Sequence, residues 1–427
     1  AYLVPYYLYS KIFGITSTEF IFNFMTTFYG ALAVIFLYLF SKKYLKNSFI
    51  AISSALLFAV TPIFFSITTY TKNHGLSIML ALCSIFLLIK SIEKKSLLLS
   101  VLSASVIGYS LFVRVTNILL FIPIFLLYFH PYLNFKIFNI KKNISFIKQA
   151  FLFFPLFIIS GILVFIIQNK GIMTQIKYEG NRFLGIFSPL LSKAFFDLCF
   201  SMTYLGLFFF IIGIIFLFIN MKEKLFPLLT WIFMFFFYYG NVSSYSPRFF
   251  VELLPPLMII IAAGVYFLFK ESKLLSVFTI ILLVVMMFVS IYPVVNFRKN
   301  YSGEKEFALF VKRITEKKSI IISMDDSVFI NYYAKRSTIG HPIGNPSKTK
   351  NWIKQIKSFL DNKTPVYLMQ SAFSYDPGKI VKKELFANFN LIEVGNRLAE
   401  DYHHASIKLN PYYQRLFKVL KKNELAK

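Results

Sequence analysis

Four groups of residues have types and spacings that could do chemistry on an anionic group. The first is Thr69-Tyr70-Thr71-Lys72-Asn73-His74, the second Arg114 with Asn117, and the third Lys177, Tyr178, Glu179, Asn181 and Arg182. The fourth is Tyr245-Ser246-Pro247-Arg248, followed by Glu252 and Pro255-Pro256. Each lies at the end of an apolar run or in the loop after one, where charge is costly to hold and usually has a reason. Lysine and arginine there can hold a phosphate, arginine through two parallel N–H bonds, while a carboxylate could take a proton from an attacking hydroxyl. The ordinary alternative at each position is a snorkelling cation that anchors a span at the interface.

The elements that must position these residues are membrane spans. The chain has 427 residues, 57% hydrophobic, with 54 Phe and a mean hydropathy of +0.64, more apolar surface than a soluble core can use. Apolar runs near 19–40, 48–67, 75–89, 97–113, 115–129, 150–168, 197–219, 225–240, 249–269 and 274–295 read as about ten transmembrane helices. The stretch 97–129 exceeds one ordinary span, so a tight hairpin is expected at Arg114-Val115-Thr116-Asn117. Several runs are short, which favours spans packed mainly against other spans. Cys83 and Cys199 both lie inside apolar runs and read as small buried residues, which excludes a disulfide framework.

Basic residues alternate with the loops. Loops 41–47, 90–96, 130–149, 220–224 and 270–273 hold 14 Lys and no Arg in 43 residues, against 7 Lys plus Arg in the 47 residues of loops 68–74, 114–117, 169–196 and 241–248. The denser set is therefore expected in the cytoplasm, which puts all four polar groups on the outer face. The net charge of +27 is explained by this pattern and calls for no nucleic-acid partner.

The last 132 residues change character. Lys- and Glu-bearing helical stretches (304–317, 348–361, 377–387) alternate with Ile320-Ile321-Ile322, Val366-Tyr367-Leu368-Met369 and Leu391-Ile392-Glu393-Val394. This predicts an extracytoplasmic α/β domain with a partly parallel sheet over 296–427, following a membrane domain over 1–295. Its 24 Lys plus Arg against 12 Asp plus Glu suit either an anionic headgroup surface or a plain solvated face. No Gly-rich phosphate loop, His-Glu-x-x-His or nucleophile motif is found in it. His403-His404 beside Asp401 makes a poor metal cluster, because neighbours in a strand point to opposite faces.

Two stretches carry a resemblance. Pro5-Tyr6-Tyr7-Leu8 to Phe13-Gly14, followed by a span and a basic loop, resembles the "Pro-Pro-Leu-Tyr … Leu-Phe-Gly" region of polytopic GT-C glycosyltransferases, in the branch of protein O-mannosyltransferases and aminoarabinose transferases. Ser246-Pro247-Arg248-Phe249-Phe250 through Leu254-Pro255-Pro256 and Ala262-Ala263-Gly264 is similar to their late "Arg-Tyr … Pro-x-x-Pro … Ala-Ala-Gly" span, and Thr61-Pro62 with the Tyr70–His74 segment also fits. The resemblance implies a GT-C fold in the plasma membrane and inverting transfer of a sugar from a polyprenyl-phosphate donor to a glycan, lipid or protein acceptor on the outer face.

By the same resemblance Arg248, with Arg114 and Lys72 as second candidates, is expected to hold the donor phosphate. Tyr70, His74, Lys177, Arg182 and Glu252 are expected in the loops that meet donor or acceptor. The chain begins without Met and just before an inward-going span, so it reads as a fragment whose first span and acidic outer loop, with the catalytic carboxylate, precede Ala1. Where many relatives carry an acidic residue, this chain has Asn73-His74, which weakens a metal-assisted version; a divalent metal stays open and no other cofactor is indicated. A polysaccharide polymerase or ligase, a lipid-linked-sugar flippase or transporter, and an inactive relative remain as alternatives.

Overall fold

The computed structural model describes every residue except 1–10, 12–17, 69–72, 130–143, 168–188, 242–245, 271, 301–302, 324–326, 343–345, 374–375, 377–378, 400–406, 408–411 and 423–427. It divides into two compact units, Ala1–Pro293 with Ala405–Lys408, and Val294–His404 with Leu409–Lys427.

The first unit is helical. Six of its described helices are long and apolar enough to cross a membrane: Asn23–Leu45, His74–Lys94, Lys148–Ile167, Leu191–Gly240, Pro247–Leu268 and Lys273–Phe297. A seventh crossing is the pair Ser48–Val60 and Pro62–Thr68, bent by 61°. The bend follows from the sequence: Pro62 has no N–H to give and pushes Thr61 out of the helical region, to φ −57° and ψ 128°. Asn47 starts this pair by accepting a 3.0 Å bond from Ile50 N.

The remaining expected spans take a different form. Leu97–Val113 is capped by Ser96 and ends at Arg114, which is extended (φ −154°, ψ 109°). The expected hairpin at 114–117 is instead this one extended residue followed by a 3₁₀ turn, Val115–Leu120, and the short helix Phe121–Phe129. The expected pair 197–219 and 225–240 lies within one helical stretch, Pro189–Gly240. That stretch breaks at Met221, within the expected loop, and also at Thr203, which has φ 64°. Thr203 Oγ1 accepts from Gly206 N at 3.2 Å, so Thr203 caps the piece that follows it.

The span Pro247–Leu268 forms the centre of this unit and is buried along most of its length. It packs directly on Pro189–Gly240 through glycine: a Cβ added at Gly264 would collide with the Phe209 carbonyl, and one at Gly213 with the Ile260 carbonyl. Serines join the helices beside it, with Ser84 and Ser103 bonding each other's side chains and carbonyls and Ser91 meeting Ser100 at 2.6 Å.

The second unit holds a five-stranded sheet ordered β2-β1-β3-β5-β4. Its strands are β1 (Ile320–Ile322), β2 (Ser337–Ile339), β3 (Val366–Met369), β4 (Phe389–Ala399) and β5 (Tyr412–Lys421). β1 pairs in parallel with β2 and β3, and β5 is antiparallel to both β3 and β4. Gly303–Ile314 and the helical turn Ile330–Ala334 cover the face bearing Ile321, Tyr367 and Met369; Pro346–Asp361 and Ile380–Asn388 cover the face bearing Ile322, Val366 and Leu368. Arg336 locks the first layer. Its guanidinium donates to Lys312 O (3.0 Å), Thr315 O (2.7 Å) and Ala334 O (2.9 Å), carbonyls left open where the helix ends.

Candidate functional site

Four segments of the first unit converge on Arg114. Asn73 and Asn117 tie them together: Asn73 Nδ2 donates to Val113 O at 3.0 Å, and Asn117 Nδ2 to Ser77 Oγ at 2.9 Å. Arg114 leaves the end of its helix in an extended conformation and turns its guanidinium inward. Its Nε donates to Thr116 Oγ1 (3.1 Å) and its Nη2 to the Tyr239 hydroxyl (2.8 Å), which in turn donates to Thr116 Oγ1 (2.8 Å).

The third nitrogen, Nη1, meets Glu252 Oε1 at 2.6 Å. This is a close, charge-assisted contact between a guanidinium and a carboxylate. Glu252 has no exposed surface, and its side chain is placed by a 3₁₀ helix, Pro247–Leu253, that begins at a proline and runs into Pro255-Pro256. Trp231 Nε1 fixes this turn by donating to Glu252 O at 2.8 Å.

His74, in the first turn of its span, is buried against the same guanidinium. Its Nδ1 contacts Arg114 Nη1 and lies 3.7 Å from Glu252 Oε1. Phe249 completes the arrangement: its ring stacks on Tyr239 at 5.1 Å, with Arg114 5.6 Å and Arg248 5.2 Å from its centre. Arg248 is half-buried, so the cluster holds one deeply enclosed guanidinium and, across a shared ring, a less enclosed one.

Of the residues singled out by sequence, Arg114, His74, Glu252 and Arg248 are brought together here. Tyr70, Lys72, Lys177 and Arg182 lie outside the described residues, as do His403, His404 and Asp401. Tyr239, Thr116 and Trp231 were not expected. A tyrosine closing a Phe-rich run is an ordinary interfacial residue by pattern, and only its approach to Arg114 distinguishes it. Among the described residues no group of three or more His, Cys, Asp or Glu could hold a metal. At Glu252 the guanidinium of Arg114 already occupies the position a cation would need, so the cluster does not fit a metal site.

Residues 3–165 match the family model described as dolichyl-phosphate-mannose-protein mannosyltransferase. Among solved structures the chain is similar to ArnT from Cupriavidus metallidurans bound to undecaprenyl phosphate, at 9% identity and TM-score 0.59, over 98% of this chain and 87% of that one. It is also similar to the oligosaccharyltransferase of Archaeoglobus fulgidus, solved with zinc and sulfate, at 14% identity and TM-score 0.57. That match covers 92% of this chain, which spans 62% of the archaeal protein. No curated protein sequence matches the chain. The fold is that of the GT-C membrane glycosyltransferases, as the sequence resemblance implied, and the protein is a multi-pass membrane protein.

Proposed function

We propose that this protein transfers a sugar from a polyprenyl-phosphate carrier to an acceptor hydroxyl on the outer face of the plasma membrane, with about ten helical segments in the bilayer and residues 296–427 outside the cytoplasm. The observation that carries this reading is Arg248, held by Phe249 beside a buried, charge-balanced cluster in a chain with this fold. In the transfer, a carboxylate takes the proton of the acceptor hydroxyl and the oxygen attacks the anomeric carbon. The bond from that carbon to the phosphate oxygen breaks, and the electron pair leaves with the polyprenyl phosphate.

Arg248 is assigned to the phosphate, where a planar guanidinium can grip two oxygens as their charge grows. Lys72 is the second cation. Arg114, engaged by Glu252, Tyr239 and Thr116, sets the electrostatics behind Arg248, and Glu252 is spoken for as its counter-ion rather than as the base. His74, Tyr70, Lys177 and Arg182 are assigned to the walls that meet donor and acceptor.

The test is turnover in proteoliposomes, read as release of polyprenyl phosphate from a lipid-linked sugar by mass spectrometry. Arg248→Ala is expected to lose at least about 100-fold in rate while keeping the wild-type melting temperature, with Arg248→Lys in between. Full turnover by the alanine variant would overturn the assignment.

A further inference from the structure

The second unit distributes its charge unevenly between the two faces of its sheet. Between Pro346 and Asn388 the chain has eight lysines and three acidic residues. The helix Gly303–Ile314, on the other face, balances Lys305, Lys312 and Arg313 against Glu304 and Glu306. The helices Pro346–Asp361 and Ile380–Asn388 lie side by side over the face bearing Ile322, Val366 and Leu368. Burying Trp352, Ile353 and Ile356 there turns Lys350, Lys354 and Lys357 outward, at helical spacing. Burying Val381 and Leu385 does the same for Lys382, Lys383 and Phe386.

The acids of this layer do little to offset its lysines. Asp361 is taken by Lys421 at 2.7 Å, and Asp376 accepts from Val381 N (3.0 Å) and Lys382 N (2.7 Å), starting a helix. Among the described residues Lys350, Lys354 and Lys357 have no ion-pair partner. Beside this stripe stands an exposed aromatic. Phe386 is 49% exposed, its ring stacks on Phe373 at 6.3 Å, and Lys382 Nζ lies 5.8 and 5.9 Å from the two ring centres. A half-exposed ring under an ammonium suits the boundary between water and lipid, the ring at the acyl edge and the charge among headgroups.

Charge and connectivity select the partner. All the cations of this layer are lysines, point charges that follow a sheet of negative charge but lack the planar fork that grips one phosphate. The unit begins at Val294, in the last turns of the span Lys273–Phe297, so a lipid surface is always within its reach at high effective concentration. We infer that the layer formed by Pro346–Asp361 and Ile380–Asn388, through Lys350, Lys354, Lys357, Lys382 and Phe386, docks on a bilayer surface rich in anionic phospholipid. This stands whether or not the protein transfers a sugar, and docking is measured without turnover.

The test uses full-length protein with Cys83→Ala and Cys199→Ala, carrying one fluorophore at Ser358→Cys or, on the other layer, at Glu306→Cys; both positions are exposed. It is placed in nanodiscs of phosphatidylcholine alone or with about one-third phosphatidylglycerol, each holding a headgroup spin-labelled lipid as quencher. The Ser358→Cys label should be quenched at least about twofold more in the anionic discs, and the Glu306→Cys label equally in both. Raising the salt from about 0.1 M to about 1 M, which shortens the screening length from about 10 Å to about 3 Å, should remove the difference. Lys350→Gln, Lys354→Gln and Lys357→Gln together should also remove it at an unchanged melting temperature. Lys350→Arg, Lys354→Arg and Lys357→Arg together should keep it, and Phe386→Ser should reduce it. Equal quenching at Ser358→Cys in both discs, stronger quenching at Glu306→Cys, or a difference that survives salt each overturns the inference. So does binding of a soluble phosphorylated glycan that the glutamine variant loses, if the two discs do not differ. Should the glutamine variant fail to fold, the salt series and the arginine variant decide.

Discussion

Arg114 and Glu252 meet at 2.6 Å inside the membrane unit, the carboxylate wholly enclosed and the guanidinium nearly so. Two charges of opposite sign can be held there only together, because each alone would face the full cost of leaving water. Glu252→Ala, which leaves the guanidinium buried and unpaired, is expected to cost about 3–5 kcal/mol of stability. Arg114→Met should cost a similar amount, and the double variant clearly less than the sum of the two. Thermal unfolding of the four proteins in one detergent closes the cycle. Additive losses would mean that the pair is not coupled.

Tyr239→Phe isolates orientation from charge. The hydroxyl accepts from Arg114 and donates to Thr116, so its removal leaves both without that partner while the ring stays stacked on Phe249. A stability loss of about 1–3 kcal/mol is expected, together with slower sugar transfer at an unchanged fold. Circular dichroism and turnover on the same preparation check both parts.

Gly264→Ala tests the closest helix contact. The added methyl would press on the Phe209 carbonyl, which belongs to a helix backbone and cannot swing aside. The expected cost is about 1–3 kcal/mol, seen as a lower melting temperature and a smaller monodisperse peak in size-exclusion chromatography. An unaffected Gly264→Ala protein would mean that the two spans are less tightly apposed.

Arg336→Lys should destabilise the second unit although charge is conserved. A lysine ammonium cannot reach the carbonyls at 312, 315 and 334 at once, so buried acceptors are left unmet. Proteolytic cleavage after residue 294 should become faster, at a rate set by how often that unit opens.

Acidification should loosen the same unit in two stages. Burial, only partly opposed by nearby Asp376, lowers the pKa of His341 from its usual 6.5, so the unfolded chain binds the proton first and stability falls as pH drops below that value. Burial raises the pKa of Glu316, but a 2.6 Å bond from Tyr367, its own backbone N–H and Lys418 outweigh it, and the net shift is downward from 4.5. Its contribution is present above that pH and fades below it. A denaturation series from pH 8 to pH 3 checks both stages, and His341→Gln should remove the first alone.

Apolar runs, prolines and caps are local properties, and the sequence alone determined where most helices lie. Pro62 marked the bend at Thr61, and Pro247 with Pro255-Pro256 marked the entry of the buried span. Ile320–Ile322 and Val366–Met369 were legible as strands because each is short, apolar and flanked by Lys-bearing helices. β2, at Ser337-Thr338-Ile339, was not legible: its three residues carry no alternating pattern, and pairing with β1 alone makes them a strand. Arg114, His74, Glu252 and Arg248 stood out one at a time, since polar side chains at span ends are rare enough to notice.

What only the tertiary structure decided is which of them share a charge. The distance between Arg114 and Glu252 depends on how the helix Leu97–Val113, the 3₁₀ turn at 247–253 and the end of the helix at Tyr239 pack together. Packing is set by the shapes of many side chains at once, through contacts such as Gly264 on Phe209, and no window of sequence contains it.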